Sequence, residues 1–432
     1  TVNIQSNYAL AFFSLANVHI ELKEFDDAVS CYQKAIELNP NLVSAHNNLG
    51  LTFRELNDFK NAISCYKQTI KLQPNHAGAH HNLALAYKEL GQFDEAIQSH
   101  MSAIKHEPTN LAHEHFLSEL KKEILNSGLK EKTKKILESE TSSLVNNAYG
   151  NYILAKYEKR DKNYKKELEY LVKGHSNFFK SREKKFNLGV KYSFDDVIKI
   201  SEEVEVELGG KKNYDDVKPI FIVGVPRSGS TLVEKIITSG KKFISIGEET
   251  AIFENYINKK ILEKQSLNLG NVESVRDELN NIYKLKGLLS KKNDYYFSDK
   301  SLNNFFYIKF IKQIYPKAKI INCQRDPLSS IMSIFQNNLT ELAWTHKLDN
   351  IFKYFDNYFQ IMENYDATSN TKLYNLNFEN LTNDPEGVSK KLMNFCELPW
   401  DKKCLEFYKR KDLISKTASN IQISESIYKH SL

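Results

Sequence analysis

IFIVGVPRSGSTL, residues Ile220 to Leu232, decides how the larger part of this 432-residue chain is read. Ile220, Phe221, Ile222 and Val223 are β-branched or aromatic apolar residues suited to a buried strand. A Gly/Pro/Ser loop follows, and a helical pattern opens at Thr231. Strand, glycine-bearing turn and helix N-terminus gather free backbone N–H groups around one point, and the positive end of the helix dipole faces the same spot. That geometry binds phosphate or sulfate. Gly224 and Gly229, followed by Ser230 and Thr231, match the frame G-x-x-x-x-G-K-[ST] except at one position: Ser230 stands where a nucleoside triphosphatase has lysine. That lysine contacts the β and γ phosphates, so its loss argues against ATP or GTP hydrolysis. Arg227 supplies the cation inside the loop instead, as a planar fork suited to an oxyanion.

Outward from this stretch, short apolar segments alternate with longer helical patterns. KFISIG, YYFSDK, AKIINC and KLYNLNF read as further strands, and a helix is expected from Asn303. Such βα alternation predicts a parallel sheet covered by helices, with ligands beyond the carboxyl ends of the strands. Charged residues fall at those ends: the Arg227 loop after the first strand, Glu248 and Glu249 after the second, Lys300 after YYFSD and Arg325 after AKIINC.

The first third of the chain is periodic. Pro40, Pro74 and Pro108 are spaced 34 residues apart, as are Ala28, Ala62 and Ala96, and Leu15, Leu49 and Leu83. Small residues Ala16, Gly50 and Ala84 follow the leucines. This is the mark of the tetratricopeptide repeat, a helix-turn-helix unit in which small residues let two helices approach and proline ends the second. Such an array either holds an extended peptide in a concave groove or serves as a scaffold that stabilises or dimerises its neighbour. Asn47, Asn48, His80, His81 and Asn82 fall in the first helices of repeats two and three, where groove-lining polar residues lie; a groove role suits the two histidines better than a metal-ligand role. A weaker copy of the repeat, with Ala155, Glu167 and Gly174, spans Leu154 to Gly174. The expected organisation is an all-α solenoid of three repeats over 1–110, a helical extension over 111–210 and an α/β domain over 217–432. The boundary is placed in the polar, Gly-Gly-bearing stretch that ends at Pro219.

Composition bounds the remaining possibilities. A net charge of +6 and a pI near 8.7 suit a polyanionic small ligand without requiring nucleic acid, and no nucleic-acid-binding module accompanies them. The five cysteines are scattered, with no zinc spacing, and Cys31 and Cys65 repeat one position as packing residues. No apolar run reaches the ~18 residues of a membrane span and no signal peptide is visible, which points to the cytoplasm. The first residue is Thr1 rather than Met, leaving room for a lost N-terminal segment.

PIFIVGVPRSGSTL, IGEET, FSDKSLNN and INCQRDPLSSIMS together resemble the sulfotransferase superfamily that uses 3′-phosphoadenosine 5′-phosphosulfate. IGEET points to the tyrosylprotein sulfotransferase branch, and to bacterial proteins that join it to tetratricopeptide repeats. The resemblance covers about 220 to 428. It implies a P-loop-like fold, the phosphosulfate donor as co-substrate and no metal. By position, Arg227, Ser228, Gly229, Ser230 and Thr231 would hold the 5′-phosphosulfate, and Arg325 with Ser333 the 3′-phosphate. The alternative for Arg325 is a surface salt bridge to Asp326.

Sulfuryl transfer needs a base for the acceptor hydroxyl and a cation on the leaving oxygen. The resemblance assigns these to Glu249 and Lys300, with Glu248 the competing base, and gives Ser419 of TASNIQISESIY a part in orienting the donor. Phe378-Glu379 replaces the Tyr-Glu of relatives in the strand before LTNDPEG, leaving Phe378 to pack the adenine. The chain also stops at Leu432, short of a Trp-containing tail usual in the family. The implied reaction is sulfuryl transfer to a hydroxyl, with peptide tyrosine favoured over a glycan, lipid or small phenol. A non-enzymatic repeat adaptor is the alternative of a different class. Oligomeric state is left open.

Overall fold

The computed structural model describes residues 2–22, 24–207, 217–242, 244–264, 268–290, 295–368, 373–410 and 427. It divides into two compact units, Thr1–Ser181 and Arg182–Leu432. The Gly-Gly stretch and Ser419 lie outside the described residues.

The first unit stacks antiparallel helix pairs: α1 (Val2–Glu21) and α2 (Phe25–Leu38), α3 (Val43–Glu55) and α4 (Phe59–Leu72), α5 (Ala77–Glu89) and α6 (Phe93–His106). α7 (Leu111–Leu120) and α8 (Ser127–Leu137) lead to a last pair, α9 (Leu144–Arg160) and α10 (Tyr164–Ser181). Each second helix of the repeats stops two residues before the periodic proline. The small residues do what the period implies. Ala16, Ala28, Ala62, Ala84 and Ala96 are wholly buried. A Cβ on Gly50 would lie 2.6 Å from the Tyr66 ring, and one on Gly174 would lie 2.6 Å from the Tyr152 ring. The weaker copy thus has an equally close approach with the helices exchanged, its glycine on the second helix and its tyrosine on the first. Asparagines link successive repeats, with Asn48 donating to Asn17 and Asn82 to Asn47.

The second unit begins with α11 (Glu183–Lys191), a π-helical turn over Tyr192–Asp196 and α12 (Val197–Glu203). A small parallel pair, β1 (Glu205–Glu207) with β3 (Asn268–Asn271), stands apart from the main sheet. That sheet is formed by β2 (Lys218–Val223), β4 (Tyr296–Asp299), β5 (Lys319–Gln324) and β6 (Tyr374–Asn377), all parallel, in the order β4-β2-β5-β6. The intervening helices are α13 (Ser230–Thr238), α14 (Ile252–Lys264), α15 (Val272–Leu285), α16 (Ile308–Ile314), α17 (Pro327–Gln336) and α18 (Leu348–Thr368). α19 (Phe378–Asn383) and α20 (Pro385–Phe395) close the unit. Alternation along β2 separates the two cores. Ile220 and Ile222 pack with Val233, Ile236 and Ile237 of α13, whereas Phe221 meets the rings of Phe253 and Tyr315 on the other face.

Three expectations change in detail. The described residues of KFISIG form no regular strand: the segment pairs with β4 at isolated bridges, Ser245–Phe297 and, just after it, Glu248–Lys300. At Gly247 the backbone presses so close that a Cβ would lie 2.3 Å from the Ser298 carbonyl oxygen, which leaves no room for a regular pleat. The helix expected from Asn303 opens as a 3-10 turn, Leu302–Tyr307, before α16. Phe378 is not in the strand before LTNDPEG but opens α19, where Asn377 caps the helix by accepting from the Asn380 N–H. No helix among the described residues is long and apolar enough to cross a membrane.

Candidate active site

Because β2, β4, β5 and β6 run parallel, their carboxyl ends share one edge of the sheet. β2 ends in the Gly224–Gly229 loop, β4 in Lys300, β5 in Arg325 and β6 in Phe378. The loop takes backbone shapes its sequence must permit. Gly224 has φ +145°, and a Cβ there would lie 2.6 Å from the Cys323 carbonyl oxygen and 2.9 Å from Ser228 Oγ. Gly229, the N-cap of α13, has φ +91° and lies against the Phe378 ring, 2.3 Å from where its Cβ would be. Arg227 holds φ +69° without glycine's freedom. Such backbone strain costs on the order of 1–3 kcal/mol and gathers at functional sites.

Arg227, Arg325 and Ser333 converge. Arg227 Nε donates to Ser333 Oγ at 3.0 Å, and Arg325 Nη1 donates to the Arg227 carbonyl at 3.2 Å. The Arg325 guanidinium also lies 5.0 Å from the Phe378 ring centroid. Burial, reinforced by the like charge of Arg325, brings the Arg227 guanidinium down to about 10. Burial also lowers Arg325. Two desolvated cations side by side form a strong anion site. Asp326 caps α17, accepting from the Ser329 N–H at 2.7 Å. Ser228 Oγ is buried and has no hydrogen-bond partner among the described residues, an orphaned donor inside the loop.

Beside this cluster, Lys300 is 2 % exposed. Its Nζ donates to Glu249 Oε1 at 2.7 Å and lies 3.5 Å from Glu248 Oε1. Burial alone would lower the ammonium, but Glu249, Glu248 and Glu234 together hold it above the ordinary lysine range. Backbone bonds bind the two segments as well: the Glu249 N–H donates to the Lys300 carbonyl at 2.7 Å and the Lys300 N–H to the Gly247 carbonyl at 3.0 Å. Glu249, like Arg227, has a positive φ, +52°. Of the two acids the Glu249 side chain is 31 % exposed and that of Glu248 only 6 %, so Glu249 is the one a solute can reach.

Residues 219–402 match the model of the sulfotransferase family, while residues 16–54 and 50–91 match a TPR repeat model and residues 77–110 a tetratricopeptide repeat model. The chain joins tetratricopeptide repeats to a sulfotransferase-family domain. An uncharacterized protein of Aquifex aeolicus (strain VF5) is 27 % identical over 299 residues, covering 66 % of this chain and 39 % of that protein. Protein-tyrosine sulfotransferase A of Caenorhabditis elegans is 24 % identical over 224 residues, covering 49 % of this chain and 58 % of its own length. The chain therefore spans about two to three fifths of the length of these curated relatives. The sulfotransferase domain from the Synechococcus PCC 7002 olefin synthase superposes with a TM-score of 0.38 at 16 % identity, over 51 % of this chain and 88 % of that one.

Reading the sulfotransferase domain by motif missed two buried polar residues, Glu234 and Ser298. The available signal was the charged pair Glu234-Lys235 set between the apolar residues of LVEKII, where an unpaired carboxylate would be costly.

Proposed function

We propose that the chain transfers a sulfuryl group from 3′-phosphoadenosine 5′-phosphosulfate to a hydroxyl acceptor, a tyrosine of a peptide or protein. One observation carries the reading: adjacent parallel strand ends bear a convergent Arg227–Arg325–Ser333 cluster and a buried lysine paired with a reachable carboxylate. The donor's chemistry fits the residues present. Ser228 Oγ offers an unused donor, and Gly224 and Gly229 form a cradle that side chains would fill. When bound, the donor supplies an activated sulfuryl group on a phosphate leaving group.

In this reading Arg227, Ser228, Gly229, Ser230 and Thr231 receive the 5′ anions through charge and N–H groups at the start of α13. Arg325 and Ser333 take the 3′-phosphate, and Phe378 packs against the adenine. Glu249 accepts the proton of the acceptor hydroxyl, which its exposure supports over Glu248. Lys300, held charged by its carboxylate neighbours, neutralises the charge that develops on the leaving oxygen. Ser419, outside the described residues, keeps its assignment to donor orientation.

Tyrosine as acceptor is supported by the IGEET segment and by relatives whose names are protein-tyrosine sulfotransferases. Repeats in the same chain raise the local concentration of a peptide they hold, which favours a protein acceptor. Calorimetry tests the donor. 3′-Phosphoadenosine 5′-phosphate should bind tightly without magnesium and ATP poorly, and the reverse order would overturn the reading. Mass spectrometry of tyrosine peptides, glycans and small phenols offered with the donor then identifies the acceptor; sulfation of glycans alone would remove the tyrosine assignment.

A further inference from the structure

Glu234 lies on α13, directly after the anion-binding loop, and is fully buried. Its Oε1 accepts from Ser298 Oγ at 2.6 Å, while Oε2 has no hydrogen-bond partner among the described residues. Ser298 is equally buried, in β4, two residues before Lys300 and hence on the same side of the strand. The Ser298 hydroxyl is a node. It accepts from the Gly247 N–H at 3.3 Å, and the Ser245 carbonyl lies 3.3 Å away. Three elements therefore meet at one oxygen: the helix behind the loop, the strand that delivers Lys300 and the segment that delivers Glu248 and Glu249.

We propose that Glu234 is a positioning residue, which through Ser298 sets the Gly247–Glu249 segment in register with Lys300 and with the oxyanion loop. The proposal rests on the sulfotransferase reading for its consequence but on geometry for its substance. The groups facing Glu234 are Lys300 at the end of β4, Glu248 on the bridged segment, Ser298 in β4 and Lys235 on its own helix.

A hydroxyl has one hydrogen, so the network has two states. With Glu234 ionised, Ser298 donates to it. With Glu234 protonated, the acid donates to Ser298, whose hydrogen is then released toward the Ser245 carbonyl. Burial raises the carboxyl to about 7, with Lys300 opposing, so both states are populated near neutrality. Ionised Glu234 adds to the charge that holds Lys300 protonated.

The test compares wild type, Glu234→Gln, Glu234→Ala and Ser298→Ala in the full chain. With the phosphosulfate donor and a tyrosine peptide, Glu234→Ala is expected to lower kcat at least about tenfold. Affinity for 3′-phosphoadenosine 5′-phosphate should change less than about threefold, and Glu234→Gln should recover most of the rate. The wild-type rate should show an inflection near pH 7 that Glu234→Gln lacks. Hydrogen exchange decides the proposal without any activity: the Gly247 and Glu249 amides should exchange at least about tenfold faster in Glu234→Ala and in Ser298→Ala, with β5 amides unchanged. Unchanged exchange at Gly247 and Glu249, or equal acceleration throughout the sheet, would overturn it. Absence of nucleotide binding by the wild type would instead sink the sulfotransferase reading, leaving the exchange result to judge Glu234 by itself.

Discussion

The histidine cluster of the first unit and the Lys300 pocket of the second bury polar groups in opposite ways. In the repeats, His81, His100 and His113 approach one another across three successive helices, with ring centroids of His81 5.3 Å from His100 and 5.1 Å from His113. His100 is wholly buried, and burial drives its imidazole down to about 3. These groups are held neutral, as parts of a packed helical stack. In the sulfotransferase domain the contrasting groups are charged: Lys300 against Glu248 and the partly exposed Glu249, and two like charges, Arg227 beside Arg325. Around His81, His100 and His113 the first unit keeps its buried polar atoms uncharged, and it confines buried charge to paired groups such as Glu119 with Lys88. The second unit gathers charge at the strand ends, and strained backbone at Arg227 and Glu249 accompanies that arrangement.

The largest expected effect strikes the charged region. Glu249→Ala, and separately Lys300→Ala, should reduce kcat by roughly 10²–10⁴-fold while nucleotide affinity stays within about threefold. Turnover unchanged in Glu249→Ala would move the base to Glu248 or elsewhere. A smaller effect belongs to the anion cluster. Arg325→Ala should weaken 3′-phosphoadenosine 5′-phosphate by about 1.5–3 kcal/mol and its 3′-hydroxyl analogue much less, by calorimetry. Equal losses for the two nucleotides would remove Arg325 from the 3′-phosphate.

Acid separates the regions by sign. For His81, His100, His113 and His115 the folded state depresses the imidazole. Their stabilising contribution is complete above about pH 6.5 and is lost as pH falls, by up to about 2 kcal/mol for each imidazole by pH 5. Glu234 is raised to about 7, so its contribution is complete below about pH 4.5 and is lost as pH rises through 7. Hydrogen-exchange protection, corrected for the slower intrinsic exchange in acid, should therefore fall between pH 7 and pH 5 in α5, α6 and α7 and not in α13. The same trend in both regions would dissolve the contrast. Smallest and most local, Gly50→Val drives a side chain into the Tyr66 ring and should destabilise α3 and α4 by about 1–3 kcal/mol, read by the same measurement, while β5 amides keep their wild-type exchange.

Much of this was visible in the residues alone, and unevenly so. The 34-residue period announced each helix pair of the repeats, since the buried alanines that let the helices approach, Ala28, Ala62 and Ala96, recur at that spacing. The βα pattern placed Arg227, Lys300 and Arg325 at strand ends correctly. It overstated KFISIG, because apolar alternation cannot reveal a backbone pressed against Gly247. It was silent on Glu234, whose partner Ser298 is 64 residues away.

By itself the sequence settled the two kinds of architecture, the glycine-bearing loop and the residue types able to grip anions, because those depend on short spacings and local backbone preference. Only the tertiary structure decided that Arg227 reaches Ser333 across 106 positions, that Lys300 pairs with Glu249 across 51 and that Glu249 rather than Glu248 stays within reach of solvent. Such contacts arise when parallel strands bring distant segments to one edge of a sheet, and their partners share no period that a linear pattern could display.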